Sequence, residues 1–372
     1  MIKEILADLV RIDSVSARSN AEIIEYLEDR CAALRLITRR YPYLDDFGVE
    51  KFNLIAQSKA TTEVELALVG HTDTVPYESH WTEATNLTER DGKLYGRGAC
   101  DTKGFIAAAL TALETIELSK LTKPLALIFT ADEEIGLRGA KKLADAKPLR
   151  VRYSIVGEPT SLKPIRAGKG YSLAEVIVKG REAHSAYPAL GASAVFRAAR
   201  LINRLEQIAA KIKEDQHAAF DPPYTTLNIG LIHGGSAKNV LAGECRFTLE
   251  WRPIPAQPSD HVLNLFKAAI QEETQSDPGF ECEVDASRAD SGFETAPDSR
   301  LIKLLERATG NDAGTVAFGT EAAQMMALGA ESVVIGPGDI REAHRTGEFV
   351  PVDELERCAK VLESAIRDLC VA

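Results

Sequence analysis

Several apolar runs in this chain are followed directly by a histidine or a carboxylate, the side chains that bind metals and move protons. Ala67-Leu-Val-Gly-His-Thr-Asp-Thr-Val-Pro76 carries His71 and Asp73. If the run is a strand, alternation puts both side chains on one side at its exit. A metal-bound histidine commonly has a carboxylate on its other ring nitrogen, and Asp73 is a candidate for that outer role. Tyr95-Gly-Arg-Gly-Ala-Cys-Asp-Thr-Lys-Gly104 sets Asp101 in a glycine-rich turn before a helix, where a simple helix cap is the competing reading. Neither GxxxxGK[ST] nor GxGxxG occurs in that turn, so it is not a phosphate cradle of either kind.

Phe129-Thr-Ala-Asp-Glu-Glu-Ile-Gly136 places three acids in sequence after an apolar run. Their mutual repulsion needs solvent or a cation to offset it. At the end of a core strand, such carboxylates can divide the work, with one binding metal and another taking a proton. Glu158 in Ile155-Val-Gly-Glu-Pro-Thr160 and His344 in Val334-Ile-Gly-Pro-Gly-Asp-Ile-Arg-Glu-Ala-His344 repeat the plan. Each signal is weak alone. Together, His, Asp and Glu at separate strand ends are the donor set of a borderline divalent cation.

The elements that must position these groups show in the periodicity. Apolar residues at helical spacing run from 3 to 37, with strands expected at 53–57 and 63–70. A helix over 104–118, a buried strand over 124–130, a helix over 139–144 and a strand over 153–157 continue an alternation typical of an α/β sheet with helices on both faces. From about 163 to 287 the rhythm becomes β-α-β-β-α-β, with strands at 171–179, 225–232, 244–251 and 280–285 and helices at 192–213 and 260–273. That is the order of a ferredoxin-like unit. Helices at 301–309, 319–328 and 352–369 and a strand at 332–335 then return to the first pattern. The expectation is a discontinuous α/β catalytic domain, 1–165 and 288–372, with a mixed sheet flanked by helices. Into it is inserted a ferredoxin-like α+β lid or dimerisation domain over 166–287.

Length and composition agree with this division. At 372 residues the chain exceeds what one core usually organises, and 45% hydrophobic with 27% charged residues is ordinary for a globular protein. A net charge of −11 without any Lys/Arg-rich run argues against nucleic acid or an anionic membrane as partner and leaves small molecules. The first residues read as a helix, not a signal peptide, and no apolar run reaches spanning length. Cys31, Cys100, Cys245, Cys282, Cys358 and Cys370 are scattered, as expected of reduced thiols in the cytoplasm. Cys100 is read as structural.

With these segments in view, the chain resembles, from end to end, the dinuclear zinc aminoacylase and carboxypeptidase superfamily, and within it the acetylornithine deacetylase branch. GHTDTVP, YGRGACDTKGF, TADEEIG, VGEPTS, AHSAYP, TTLNIGLIHGGSAKNV, EWRPIP, GTEAA and GPGDIREAHRTGEF stand in that family's order and approximate spacing. The resemblance implies two divalent ions, zinc first with cobalt or manganese as alternatives. His71 and Glu158 would be terminal ligands of one ion and Glu134 and His344 of the other, with Asp101 bridging, a cis peptide following Asp101, and Glu133 as general base. The ions would make the attacking water more acidic and neutralise the clustered acids.

The resemblance also implies that His184, in the insert, helps polarise the scissile carbonyl, in dimeric relatives at the partner's site. A surface turn histidine is the bland alternative. Asn239 and Arg252 match positions that hold the substrate's α-carboxylate, which the planar fork of arginine suits. Thr320 and Glu321 match the GTEA segment, and Glu321 is a candidate to meet a cationic substrate side chain such as that of ornithine. Gly168-Lys-Gly and the run His344-Arg-Thr-Gly-Glu depart from common forms of the family and leave the substrate more open than the chemistry.

The activity so implied is deacetylation of an N-acetylated amino acid, with N2-acetyl-L-ornithine and arginine synthesis first, by a homodimer. N-acetylcitrulline deacetylase, succinyl-diaminopimelate desuccinylase, aminoacylase and dipeptidase share the metals and remain alternatives. A non-catalytic binding protein on the same fold is disfavoured because every ligand and Glu133 are present, and a nucleotide-dependent enzyme because the phosphate loops are missing.

Overall fold

A computed structural model describes residues 1–371 and resolves the chain into two compact units. The first comprises Met1–Arg166, Glu294–Gly314 and the chain from Thr320 on; the second comprises Ala167–Phe293 and Thr315–Gly319. The second boundary lies a few residues beyond the expected 287, because the strand Glu281–Asp290 runs on past the expected end of the insert.

The first unit is built on a mixed sheet in which Leu125–Thr130, Glu63–His71, Arg150–Val156 and Glu331–Val334 lie side by side and parallel. Leu125–Thr130, of sequence LALIFT, is buried at every position, as required of a parallel strand with both faces covered. Register brings the strand ends level: His71 lies opposite Thr130, Val69 opposite Val156, and Val334 opposite Val156. The residues that follow each strand therefore leave along one edge, where open α/β sheets place their sites. Antiparallel strands Glu50–Gln57 and Ile37–Leu44 extend the sheet beyond Leu125–Thr130.

Helix Lys103–Glu114 is apolar nearly all round and packs against Val352–Ile366 and Ile2–Arg11. Its Phe105 ring lies against Gly157, where a Cβ would sit 2.2 Å from the ring, so only glycine lets strand and helix meet beside Glu158. The helical spacing read over 3–37 resolves into two helices, Ile2–Arg11 and Ala21–Ala33, separated by an irregular stretch. The strand Ile37–Leu44 escaped periodicity because it alternates between exposed and half-buried residues and has no apolar face.

The second unit has an antiparallel four-stranded sheet in the order Thr226–Gly234, Glu244–Arg252, Tyr171–Lys179, Glu281–Asp290, the ferredoxin-like order. Ala174, Val176, Val178, Phe247, Leu249 and Trp251 form its inner face, on which helices Ala194–Lys211 and His261–Ser276 place Leu201, Leu205 and Phe266. Thr226–Gly234 is an edge strand whose bulge between Ile229 and Leu231 leaves Leu231 and Ile232 exposed.

Candidate metal centre

Two imidazoles converge on one buried carboxylate. His71 Nε2 lies 3.0 Å from Asp101 Oδ1, and His344 Nε2 lies 3.1 Å from Asp101 Oδ2 and 3.0 Å from Glu134 Oε2. Ligand atoms of His71, Asp101 and Glu158 lie within 4.8 Å of one another, as do those of Asp101, Glu134 and His344, and those of His71, Glu133 and Glu134. One carboxylate offering each oxygen to a different histidine, with a further carboxylate beside each, is a donor set that fits two divalent cations. The peptide bond between Asp101 and Thr102 is cis.

The electrostatics of the cluster follow from packing like charges out of water. Burial first, and then the neighbouring Glu134, Glu321 and Asp101, hold Glu133 well above the ordinary carboxylate range. Glu158 is pushed up by burial and by Asp101 and Glu133, and Glu134 mainly by burial. Burial also acts against Asp101, but hydrogen bonds from His344 and His71 win and hold it low. The reciprocal effect raises His344 to about 10, through its contacts with Asp101 and Glu134. Burial disfavours a charged His71, yet Asp101, Glu133 and Asp73 raise it well above its usual value. Two cations would replace both imidazole protons and compensate the remaining acids.

The role expected of Asp73 is corrected by its geometry. His71 Nδ1 meets the Asp73 carbonyl oxygen at 3.0 Å, whereas the Asp73 carboxylate is 3.7 Å away. The carboxylate instead accepts the backbone N–H groups of Glu133, at 3.0 Å, and Glu134, at 3.2 Å, and the Ser16 hydroxyl at 2.7 Å. Asp73 orients His71 through its backbone and the acidic loop through its side chain. On the other side of that loop, Asp132 accepts from Lys51 Nζ and Tyr43 Oη, each at 2.9 Å, with φ at +55°. Neither Lys51 nor Tyr43 was found from the sequence, where a lysine in a strand reads as a solvated charge.

Glu321 is also placed differently from expectation. It is fully buried, and burial raises its pKa to about 7, with the His71 charge and a hydrogen bond from Thr130 opposing the rise and Asp73 adding to it. Its charge acts on Glu133 and Glu158, which places it close to the metal-ligand cluster. Thr320 is buried and its hydroxyl accepts from Ala322 N at 3.3 Å. Cys100 is buried, its thiol pushed up by burial, as befits a structural residue.

In the second unit, His184 and Asn239 are neighbours. His184 bridges to Val240, Ser185 N donates to the Asn239 carbonyl, and His184 Nδ1 accepts from Ala186 N. Arg252, at the end of its strand, pairs with Glu250 at 2.9 Å and stacks over the Tyr171 ring. Lys169 is buried and donates to the carbonyls of Pro222 and Tyr224.

A mixed sheet with two histidines and four acids at its carboxyl edge defines a class, and the chain belongs to the peptidase family M20/M25/M40, whose pattern matches residues 67–368. It is 51% identical to an acetylornithine deacetylase of Myxococcus xanthus across 99% of this chain and 97% of that relative. A tripeptidase of Staphylococcus aureus superposes with a TM-score of 0.76 at 26% identity, covering 99% of this chain and 97% of the tripeptidase. A dinuclear metal-binding peptidase of the M20 family from Bacillus subtilis shares the fold, with a TM-score of 0.66 at 14% identity over 99% of this chain and 97% of the other.

Proposed function

We propose that this chain is a metal-dependent hydrolase that deacetylates N2-acetyl-L-ornithine to L-ornithine and acetate, serving arginine biosynthesis in the cytoplasm. The observation that carries the chemistry is the pair of histidine nitrogens sharing Asp101, with the half-buried Glu133 beside them. The relative from Myxococcus xanthus supports the substrate.

When bound, two divalent cations, zinc in our reading, make the attacking water more acidic and stabilise negative charge on the carbonyl oxygen. His71, Glu158 and Asp101 would hold one, and Asp101, Glu134 and His344 the other. Glu133, whose proton affinity is raised by burial, takes the water's proton as its oxygen adds to the acetyl carbon. It then delivers that proton to the ornithine α-nitrogen as the C–N bond breaks. Asp73 keeps Glu133 and Glu134 in register through their backbone N–H groups. His184 is assigned to the carbonyl oxygen, and Asn239 and Arg252 to the substrate α-carboxylate.

The second unit is read as a lid that also joins two copies into a homodimer. Its exposed edge strand, with Leu231 and Ile232, and the exposed Phe196 on helix Ala194–Lys211 are the apolar surface that supports this reading. Sedimentation as a monomer would count against it.

The test is amine release from N-acetylornithine, N-acetylcitrulline, N-acetylmethionine and N-succinyl-diaminopimelate, with added Zn or Co and a chelated control. A chelator-sensitive preference for acetylornithine is expected. Preference for another substrate would retain the chemistry and move the pathway, and no turnover of any would turn attention to dipeptides.

A further inference from the structure

We propose that Glu348 is the positioning residue that holds the bridging Asp101 carboxylate in line with His344. Glu348 is 1% exposed and lies four residues after His344, at the entry to the strand Phe349–Pro351. Its Oε1 accepts two consecutive backbone N–H groups, Cys100 at 2.9 Å and Asp101 at 3.0 Å. Its Oε2 accepts from Arg97 Nη1 at 2.6 Å, a pair in which both side chains are buried. Its backbone oxygen accepts from Gly96 N at 3.1 Å, and the next residue, Phe349, pairs with Tyr95.

These contacts join two segments that are remote in sequence. Two N–H bonds to one oxygen fix the backbone on both sides of Cys100 and so fix the direction in which Asp101 leaves the chain. The same carboxylate closes the loop that carries His344. Asp101 must meet one imidazole with each oxygen, at 3.0 and 3.1 Å, a requirement that small rotations of its backbone would break. Hydrogen bonds to a charged acceptor are the stronger kind, and removing outer partners of a metal ligand typically costs affinity. Glu348 touches neither a metal ligand's side chain nor any reacting atom, so it acts through Asp101.

The inference rests on the dimetal reading. Two substitutions separate positioning from a simple ion pair. Glu348→Asp keeps the charge but loses the reach to Cys100 N and Asp101 N. Glu348→Gln keeps the reach and an acceptor oxygen but loses the ion pair with Arg97. Co(II) would be titrated into chelator-stripped full-length protein, following heat and the visible spectrum, with circular dichroism to establish folding. Wild type is expected to bind two equivalents. Glu348→Asp should weaken the second by roughly 10–100-fold, and Glu348→Gln by less. The reverse order, equal losses, or no change in either would overturn the proposal. Fewer than two equivalents in wild type would instead overturn the dimetal reading beneath it. If Glu348→Asp does not fold, Glu348→Gln decides alone: its second affinity should lie closer to wild type than to a His344→Ala control, and the opposite result overturns the proposal.

Discussion

Replacing Asp73 by asparagine tests whether that side chain serves the acidic loop or His71. The carboxylate accepts three donors, Glu133 N on Oδ1 and Glu134 N with the Ser16 hydroxyl on Oδ2. An asparagine amide has one oxygen. If that oxygen takes the Oδ1 place, its NH2 faces Glu134 N–H; flipped, it faces Glu133 N–H. The Ser16 hydroxyl can turn to accept in the first case, so either way one backbone donor is stranded in a buried site. The loss of one hydrogen bond to a charged acceptor is about 1.5–3 kcal/mol. For a unit of this size that lowers Tm by roughly 3–12 °C. The functional loss should concentrate on the metal held by Glu134, because His71 keeps its bond to the Asp73 carbonyl whatever the side chain. Calorimetric titration with Co(II) should show one of the two equivalents weakened, by roughly 10–100-fold, and the other little changed. Equal weakening of both equivalents, or an unchanged Tm with both intact, would refute the reasoning.

Glu133→Gln should lower kcat by roughly 10²–10⁴ while metal analysis still finds both ions, since a general base is removed and the other five acids and histidines remain. Lys51→Met leaves Asp132 buried without its cation, and guanidinium unfolding should show a loss of about 3–5 kcal/mol. Lys103 is fully buried, and burial pushes its pKa down to about 8 against the opposing pull of Glu348, Asp13 and Asp73. Between pH 8 and the ordinary lysine value the unfolded chain therefore binds more protons, so this group's contribution to stability rises with pH across that window. Urea midpoints at pH 8 and pH 10 should show that rise in wild type relative to Lys103→Met, and an identical slope in the two proteins would count against it.

Three of the strand ends that carry acids or histidine were legible because a parallel strand buried on both faces reads as an unbroken apolar run, whereas the ligand set itself came from the family resemblance. The exit of such a strand is then marked by polar residues with chemistry, as at His71, the acidic run 132–134 and Glu158. The insert was legible for a related reason: its strands alternate, and its four elements of sheet and two long helices keep distinct periods. What stayed hidden depends on partners distant along the chain. Glu348 and Lys51 look like surface charges, and the partners that explain their burial, Arg97 with the backbone of Cys100 and Asp101 for one and Asp132 with the carbonyls of Ser16 and Arg18 for the other, are reached only through the fold. Asp73 stood close enough to His71 to suggest a contact, but strand-exit geometry turns its carboxylate to the neighbouring loop. Glu321 gave no local sign that it would be fully buried.

The ligands are spread along the chain in a way that bears on its synthesis. His71, Asp101, Glu134 and Glu158 are all present once the first 158 residues have been made, but the sheet strand Glu331–Val334, His344 and the helix Val352–Ile366 that packs on Lys103–Glu114 come last. Until the ribosome has added them, the early acids have a three-membered ligand group and an uncovered helix, so a growing chain carries part of the charge cluster without its second histidine. On the dimetal reading, the proposed centre thus lacks its second histidine until the whole of the second unit has been synthesised.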